Sequence, residues 1–165
     1  MQFRKAVISD IPVIQQIAEK AWRPTYSHIL SEDQTIYMLA MMYGTEVLMK
    51  QINSQIAFYL AVEEDLVIGY FAMEITEPSK MKLHKIYLDP DQKSKGAGTK
   101  IIEFIKDVAF KAGVRQIELN VNKFNSAVQF YEKIGFFRAK EMVLDIGNGY
   151  VMDDYVMQLN LESAQ

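Results

Sequence analysis

One stretch of this sequence leaves the chain few choices of fold. Between residues 82 and 121 it reads as strand, polar loop, small-residue turn, amphipathic helix and second strand. In MKLHKIYLDP, Lys82, His84, Ile86 and Leu88 alternate with Leu83, Lys85 and Tyr87, the period of a strand. Asp89-Pro90 ends it. The loop Asp91–Lys95 leads into Gly96-Ala97-Gly98. A helix follows with Ile101, Ile102, Ile105, Val108, Ala109 and Ala112 on one face and Gly113 as its stop. The chain then returns as Arg115–Val121. Strands joined across a helix in this way can pair in parallel, which no tight hairpin allows.

The flanking sequence is of the opposite kind. Phe3–Ile8 reads as a short strand, and Ser9-Asp10 can cap the next helix, with Pro12 in its first turn. Ile11, Ile14, Ile17, Ala18 and Ala21 form the apolar face, and Trp22, Pro24 and Tyr26 are expected to close the helix and begin a loop. Ser31-Glu32-Asp33-Gln34 is a capping box, Gly44 a stop, and Thr45 the restart of a helix to about Ile52. Phe58–Glu63 and Leu66–Glu74 read as a hairpin around Glu64-Asp65, and Phe136–Ile146 and Val151–Leu161 as another around Asn148-Gly149. Between them, Asn125 caps a short helix whose expected inner face is Ala127, Phe130, Tyr131 and Ile134. The predicted class is α/β (α+β): a mixed, mostly antiparallel sheet with helices on both faces and one central parallel pair, in a single domain over residues 1–165.

Composition removes several functions. There is no cysteine, which excludes disulfides, thiolate-ligated metal and thiol nucleophiles. His28 and His84 match no metal-ligand spacing, so no metal is expected. A net charge of −3 argues against a duplex nucleic-acid partner. The longest apolar runs, Tyr37–Tyr43 and Ile56–Val62, fall short of the roughly 18 residues that a membrane helix requires. The charged N-terminus has no signal-peptide core, so a cytoplasmic protein without a membrane partner is expected.

The turn Gly96-Ala97-Gly98-Thr99-Lys100 stands where a strand passes into a helix, a position at which free amides and the helix dipole attract an anion. A nucleoside-triphosphate loop of the Gly-Lys-Ser/Thr type does not fit, because the order here is Gly-Thr-Lys. A dinucleotide loop does not fit either, because its third glycine is Ile101. KIYLDPDQKSKGAGTKIIEFI does resemble the acetyl-CoA loop of the GNAT superfamily of N-acetyltransferases, Gln/Arg-x-x-Gly-x-Gly/Ala after a strand. Lys93 occupies the first position, and Ser94 replaces a usual glycine. Asn125, Ala127, Phe130, Tyr131, Glu132, Lys133, Gly135 and Phe136 resemble the family's second cofactor segment. The likeness covers nearly the whole chain and is most specific over residues 82–136.

The resemblance implies a splayed parallel strand pair with the pantetheine arm of acetyl-CoA along Ile86, Tyr87 and Leu88. It implies pyrophosphate on Ser94, Lys95, Gly96, Ala97, Gly98 and Thr99, with Lys93, Lys95 and Lys100 nearby. Asn125 and Tyr131 would meet the cofactor arm. The acceptor amine would attack the thioester directly. The Leu88 N–H would polarise the carbonyl, Tyr131 would supply a proton to the departing thiolate, and His84 would be the base, with Glu118 and Glu74 as alternatives. Without the resemblance, Tyr131 reads as a core residue, Asn125 as a cap, His84 as a half-buried strand residue and the lysines as solvated charges.

For the acceptor, the candidates are Trp22, Tyr26, Tyr37, Tyr43 and the pair Asp153-Asp154, of which only one can face a cleft. Glu32 and Asp33 read first as capping-turn charges. The aromatic loop and last hairpin resemble the branch with polyamine and diamine acetyltransferases, and an acidic, aromatic pocket suits a cationic amine. A small amine is thus the implied partner, with a homodimer, common in the family, as the implied assembly. Peptide amines as acceptors, a CoA-binding regulator without catalysis, and a nucleotide-phosphate binder outside the family are the alternatives.

Overall fold

A computed structural model of the protein describes residues 1–92 and 94–162. The expected loop contact of Lys93 lies outside them. The elements are β1 (Gln2–Lys5), α1 (Ile11–Tyr26), α2 (Glu32–Tyr43), α3 (Thr45–Ile52), β2 (Ala57–Glu63), β3 (Leu66–Glu77), β4 (Lys80–Leu88), α4 (Ala97–Lys111), β5 (Gln116–Asn122), α5 (Ala127–Lys133), β6 (Phe137–Gly147) and β7 (Tyr150–Asn160). They form a mixed sheet of strand order β1-β2-β3-β4-β5-β7-β6. The chain clusters into two compact units, Met1–Glu74 with His84–Ile101, and Ile75–Leu83 with the residues from Ile102 onward.

In the first unit, β1 and β2 pair antiparallel from Gln2↔Val62 to Lys5↔Tyr59. β2 and β3 form the expected hairpin, with Glu64 and Asp65 at φ 50° and 66° in its two-residue turn. The first strand is shorter than predicted. Ile8–Asp10 form a 3-10 turn, because Asp10 turns its carboxylate back to the Val7 N–H (2.8 Å) and forks with Arg4 (2.9 Å to each oxygen). Helix α1 is longer than predicted and continues through Pro24 to Tyr26. Trp22 and Tyr26 lie one turn apart with ring centroids at 4.6 Å, and burying both outweighs one missing amide. Ser31 caps α2 by accepting from the Gln34 N–H.

In the second unit, the ladder between β4 and β5 is parallel and joins Lys80–Leu83 to Gln116–Leu119. β4 continues to Leu88 and β5 to Asn122 beyond it. The second helical connection joins no parallel neighbours, since β7 lies between β5 and β6 and pairs antiparallel with both. Asn148 (φ 56°) and Gly149 (φ 79°) turn the last hairpin. Helix α5 buries Val128 and Tyr131, whereas Ala127, Phe130 and Ile134 are only half-buried, a shift of the expected inner face.

Candidate active site

The end of β4 is held on every side that the first unit supplies. The Asp89 N–H donates to the Ile68 carbonyl on β3 (2.8 Å), and the Asp89 carboxylate accepts from the Asp91 N–H (2.9 Å). Lys20 of α1 reaches both carboxylates, at 3.3 Å from Asp89 and 3.0 Å from Asp91, and these partners hold its ammonium above its ordinary pKa. A Cβ on Gly69 would stand 2.7 Å from the Tyr87 carbonyl oxygen and 2.8 Å from the Leu88 Cδ2. Only a glycine lets β3 come this near to Tyr87 and Leu88. Sequence reasoning missed Lys20 as a brace; the signal for Gly69 was a glycine inside an apolar strand.

The loop then turns through Gly96 at φ +77° into α4. Ala97 donates to Ser94 (3.2 Å), and the first amides of a helix have no intrahelical acceptor. Lys95, Thr99 and Lys100 are exposed, Ser94 and Gly98 half-buried and Ala97 buried. Such a turn, with amides at a helix start and small residues, fits a pyrophosphate group.

On β4, His84 hydrogen-bonds through Nε2 to the Glu74 carboxylate of β3 at 2.8 Å. By its pattern Lys85 is an ordinary strand residue, yet its side chain is buried. Nζ donates to the Met42 carbonyl (2.9 Å) and Gln51 Oε1 (3.1 Å) and lies 4.3 Å from the Tyr43 ring centre. Burial pulls its pKa down to about 8. Trp22, Tyr26, Tyr43, Tyr70 and Tyr87 make a connected aromatic cluster. Tyr70 and Tyr43 share a hydroxyl bond of 2.8 Å, and Tyr26 and Tyr87 one of 3.2 Å. Burial pushes the Tyr43, Tyr70 and Tyr87 hydroxyls up, so they stay protonated. Trp22 and Tyr26 are thus core residues that reach β4 through Tyr87. Tyr37 is half-buried, Glu32 is engaged by Arg23, and Asp33 is exposed.

In the second unit, the aspartate pair divides. Asp153 forms an ion pair with Lys123 at 2.9 Å. Asp154 is 4% exposed, and its Oδ1 has no hydrogen-bond partner among the described residues. It lies opposite Asn122 of β5 and Met142 of β6. Burial first, and the charge of Asp153 second, push its pKa up to about 6 against the pull of Lys82. Glu118 is already engaged. Burial opposes its charge, but the Gln158 amide (2.8 Å), Lys82 (3.7 Å) and Lys80 (4.0 Å) hold it below the usual carboxylate range. Lys82 also donates to Asn120 and is itself lowered by burial. Asn125 Oδ1 accepts from the Ala127 N–H (2.9 Å) in a turn just ahead of α5, whose N-cap is Ser126 and not the expected Asn125. Tyr131 is 7% exposed, with Phe130 and Phe136 ring centres at 5.4 and 5.5 Å.

The family model described as an acetyltransferase (GNAT) domain matches residues 28–157. The chain belongs to the GNAT acetyltransferase family. It is therefore an acyltransferase, and acetyl-CoA is the cosubstrate of this family. Among relatives, the spermidine N(1)-acetyltransferase of Thermoplasma acidophilum is 28% identical over 142 residues, 82% of this chain and 88% of that protein. The crystal structure of the PaiA N-acetyltransferase of T. acidophilum with coenzyme A superimposes with a TM-score of 0.81 at 26% identity, covering 97% of this chain and 98% of the other. YncA of Salmonella typhimurium, a putative acetyltransferase solved with acetyl-CoA, gives 0.66 at 20% identity, covering 100% and 96%. Among the described residues of this GNAT chain, no helix is long and apolar enough to cross a membrane.

Proposed function

We propose that this GNAT enzyme moves the acetyl group of acetyl-CoA onto a primary amine of a small cationic acceptor, a polyamine first of all, by direct attack within a ternary complex. The observation that carries the reading is β4. Its ladder with β5 ends at Leu83, yet the strand runs on to Leu88 and into the glycine turn. Backbone groups past the ladder are available to a pantetheine arm, and the turn to its pyrophosphate. Backbone N–H groups alternate in direction along a strand. Since that of Asp89 goes to β3, that of Leu88 turns to the other edge, the role of a donor to the thioester carbonyl oxygen.

An alkylamine near pKa 10 arrives protonated. His84 takes one proton from it, and the freed lone pair attacks the carbonyl carbon. As the carbon–sulfur bond breaks, the Tyr131 hydroxyl protonates the thiolate and is itself restored by the second amine proton. One proton is released overall. The chain has no cysteine to carry an acyl group, which agrees with direct transfer. A cationic acceptor is supported by the buried, half-matched charge of Asp154 and by the activity in the name of the T. acidophilum relative.

Thiol release from acetyl-CoA, measured against spermidine, diamines, aminoglycosides, amino acids and N-terminal peptides, tests this reading. Turnover should be highest with polyamines and fall about 100-fold in Tyr131→Phe. Release with peptides alone would move the acceptor class, and no release with any amine would remove the catalytic reading.

A further inference from the structure

Glu74 and His84 lie on adjacent strands, and the role proposed for His84 leaves Glu74 unexplained. Their contact is short, 2.8 Å, and both side chains are only partly open, at 26% and 31%. An ionised carboxylate only accepts hydrogen bonds. The hydrogen between them therefore sits on Nε2, which fixes the tautomer of the neutral ring and leaves its lone pair on Nδ1. Among the described residues, the ring makes this one hydrogen bond.

We infer that Glu74 is a positioning residue that clamps His84 through Nε2–H and presents Nδ1 as the proton acceptor of the reaction. The inference rests on the reading of His84 as the base and assigns the atom that does the work. In the step, a proton leaves the acceptor ammonium for Nδ1, its electron pair stays on nitrogen for attack, and the imidazolium keeps its Nε2–H on Glu74. The positive charge formed on the ring is then paired with a carboxylate already in contact, so it develops without a new partner having to move in. An unpaired ring loses both the orientation and that compensation. Glu74 contacts no reacting atom in this scheme; it acts through His84, and a glutamine there keeps the shape but not the charge.

Two measurements on the full chain test it. Nitrogen-15 NMR of imidazole-labelled protein should show Nε2 protonated and Nδ1 bare in the neutral ring of His84. In parallel, kcat/KM for the best amine should fall about 100-fold in His84→Gln and about tenfold in Glu74→Gln. The Glu74→Gln loss should vanish in the His84→Gln background, because the carboxylate then has no base to orient. Acetyl-CoA affinity should be unchanged in Glu74→Gln. A neutral ring protonated on Nδ1, or an equal Glu74→Gln loss in both backgrounds, would overturn the inference while leaving His84 as the base. Unchanged kcat/KM in His84→Gln would overturn the base reading itself, and the inference with it.

Discussion

Asp89 and Asp154 are buried almost equally, at 8% and 4% exposure, and their surroundings could hardly differ more. Asp89, at the end of β4, is met by the Lys20 ammonium and the Asp91 amide. Asp154, on β7, has an oxygen with no partner among the described residues and a pKa pushed up by burial to about 6. A buried carboxylate with its partners in place fixes geometry; one left short of partners stores electrostatic energy that a cationic ligand can release. Under the proposed function, the first region is a rigid frame for the cosubstrate and the second a place kept in need of positive charge.

The frame is the easier to break. Gly69→Ala drives a Cβ into the Tyr87 carbonyl, so unfolding free energy should fall by about 3 kcal/mol in denaturant titrations, with a higher KM for acetyl-CoA. Asp154→Asn should act the other way. The folded-state pKa of about 6 lies above the ordinary 3.8, so the native state holds its proton more tightly and loses stability as pH rises from about 4 through about 6. Removing the charge should therefore add about 3 kcal/mol at pH 7 and well under about 1 kcal/mol at pH 4, while KM for a polyamine rises about tenfold. Thermal melts at the two pH values check the sign. Lys20→Ala is the mildest. The Lys20 ammonium stays open to solvent and the Asp91 N–H still serves the Asp89 carboxylate, so the melt should move far less than for Gly69→Ala, while KM for acetyl-CoA rises severalfold as the β4 end loosens. If Lys20→Ala cost as much stability as Gly69→Ala, the frame would be held by charge and not by backbone approach.

The same contrast explains what could be read in the chain beforehand. The two-residue turns, the amphipathic α4 and the parallel connection rest on local chemistry, and they stand where the sequence put them. The Asp153-Asp154 division also follows from strand alternation alone. What local pattern hid were long-range partnerships. Lys20 meets a loop about 70 residues later. Lys85 disappears into carbonyls and an aromatic ring from α2 and α3. Pro24 reads as a helix end because its missing amide is visible in the sequence, whereas the burial of Trp22 and Tyr26 that overrides it is not. For the candidate site, Gly96, Asn125 and Tyr131 stand out in the sequence by their resemblance to family motifs, and their roles remain part of the proposal, whereas the Glu74 contact of His84 depends on how two neighbouring strands align.

The central claim is direct transfer between two substrates held together, and initial-rate kinetics with acetyl-CoA and spermidine both varied test it most directly. Double-reciprocal lines should intersect, as a ternary complex requires. A family of parallel lines would mean that the chain accepts the acetyl group before the amine binds, and would contradict the account.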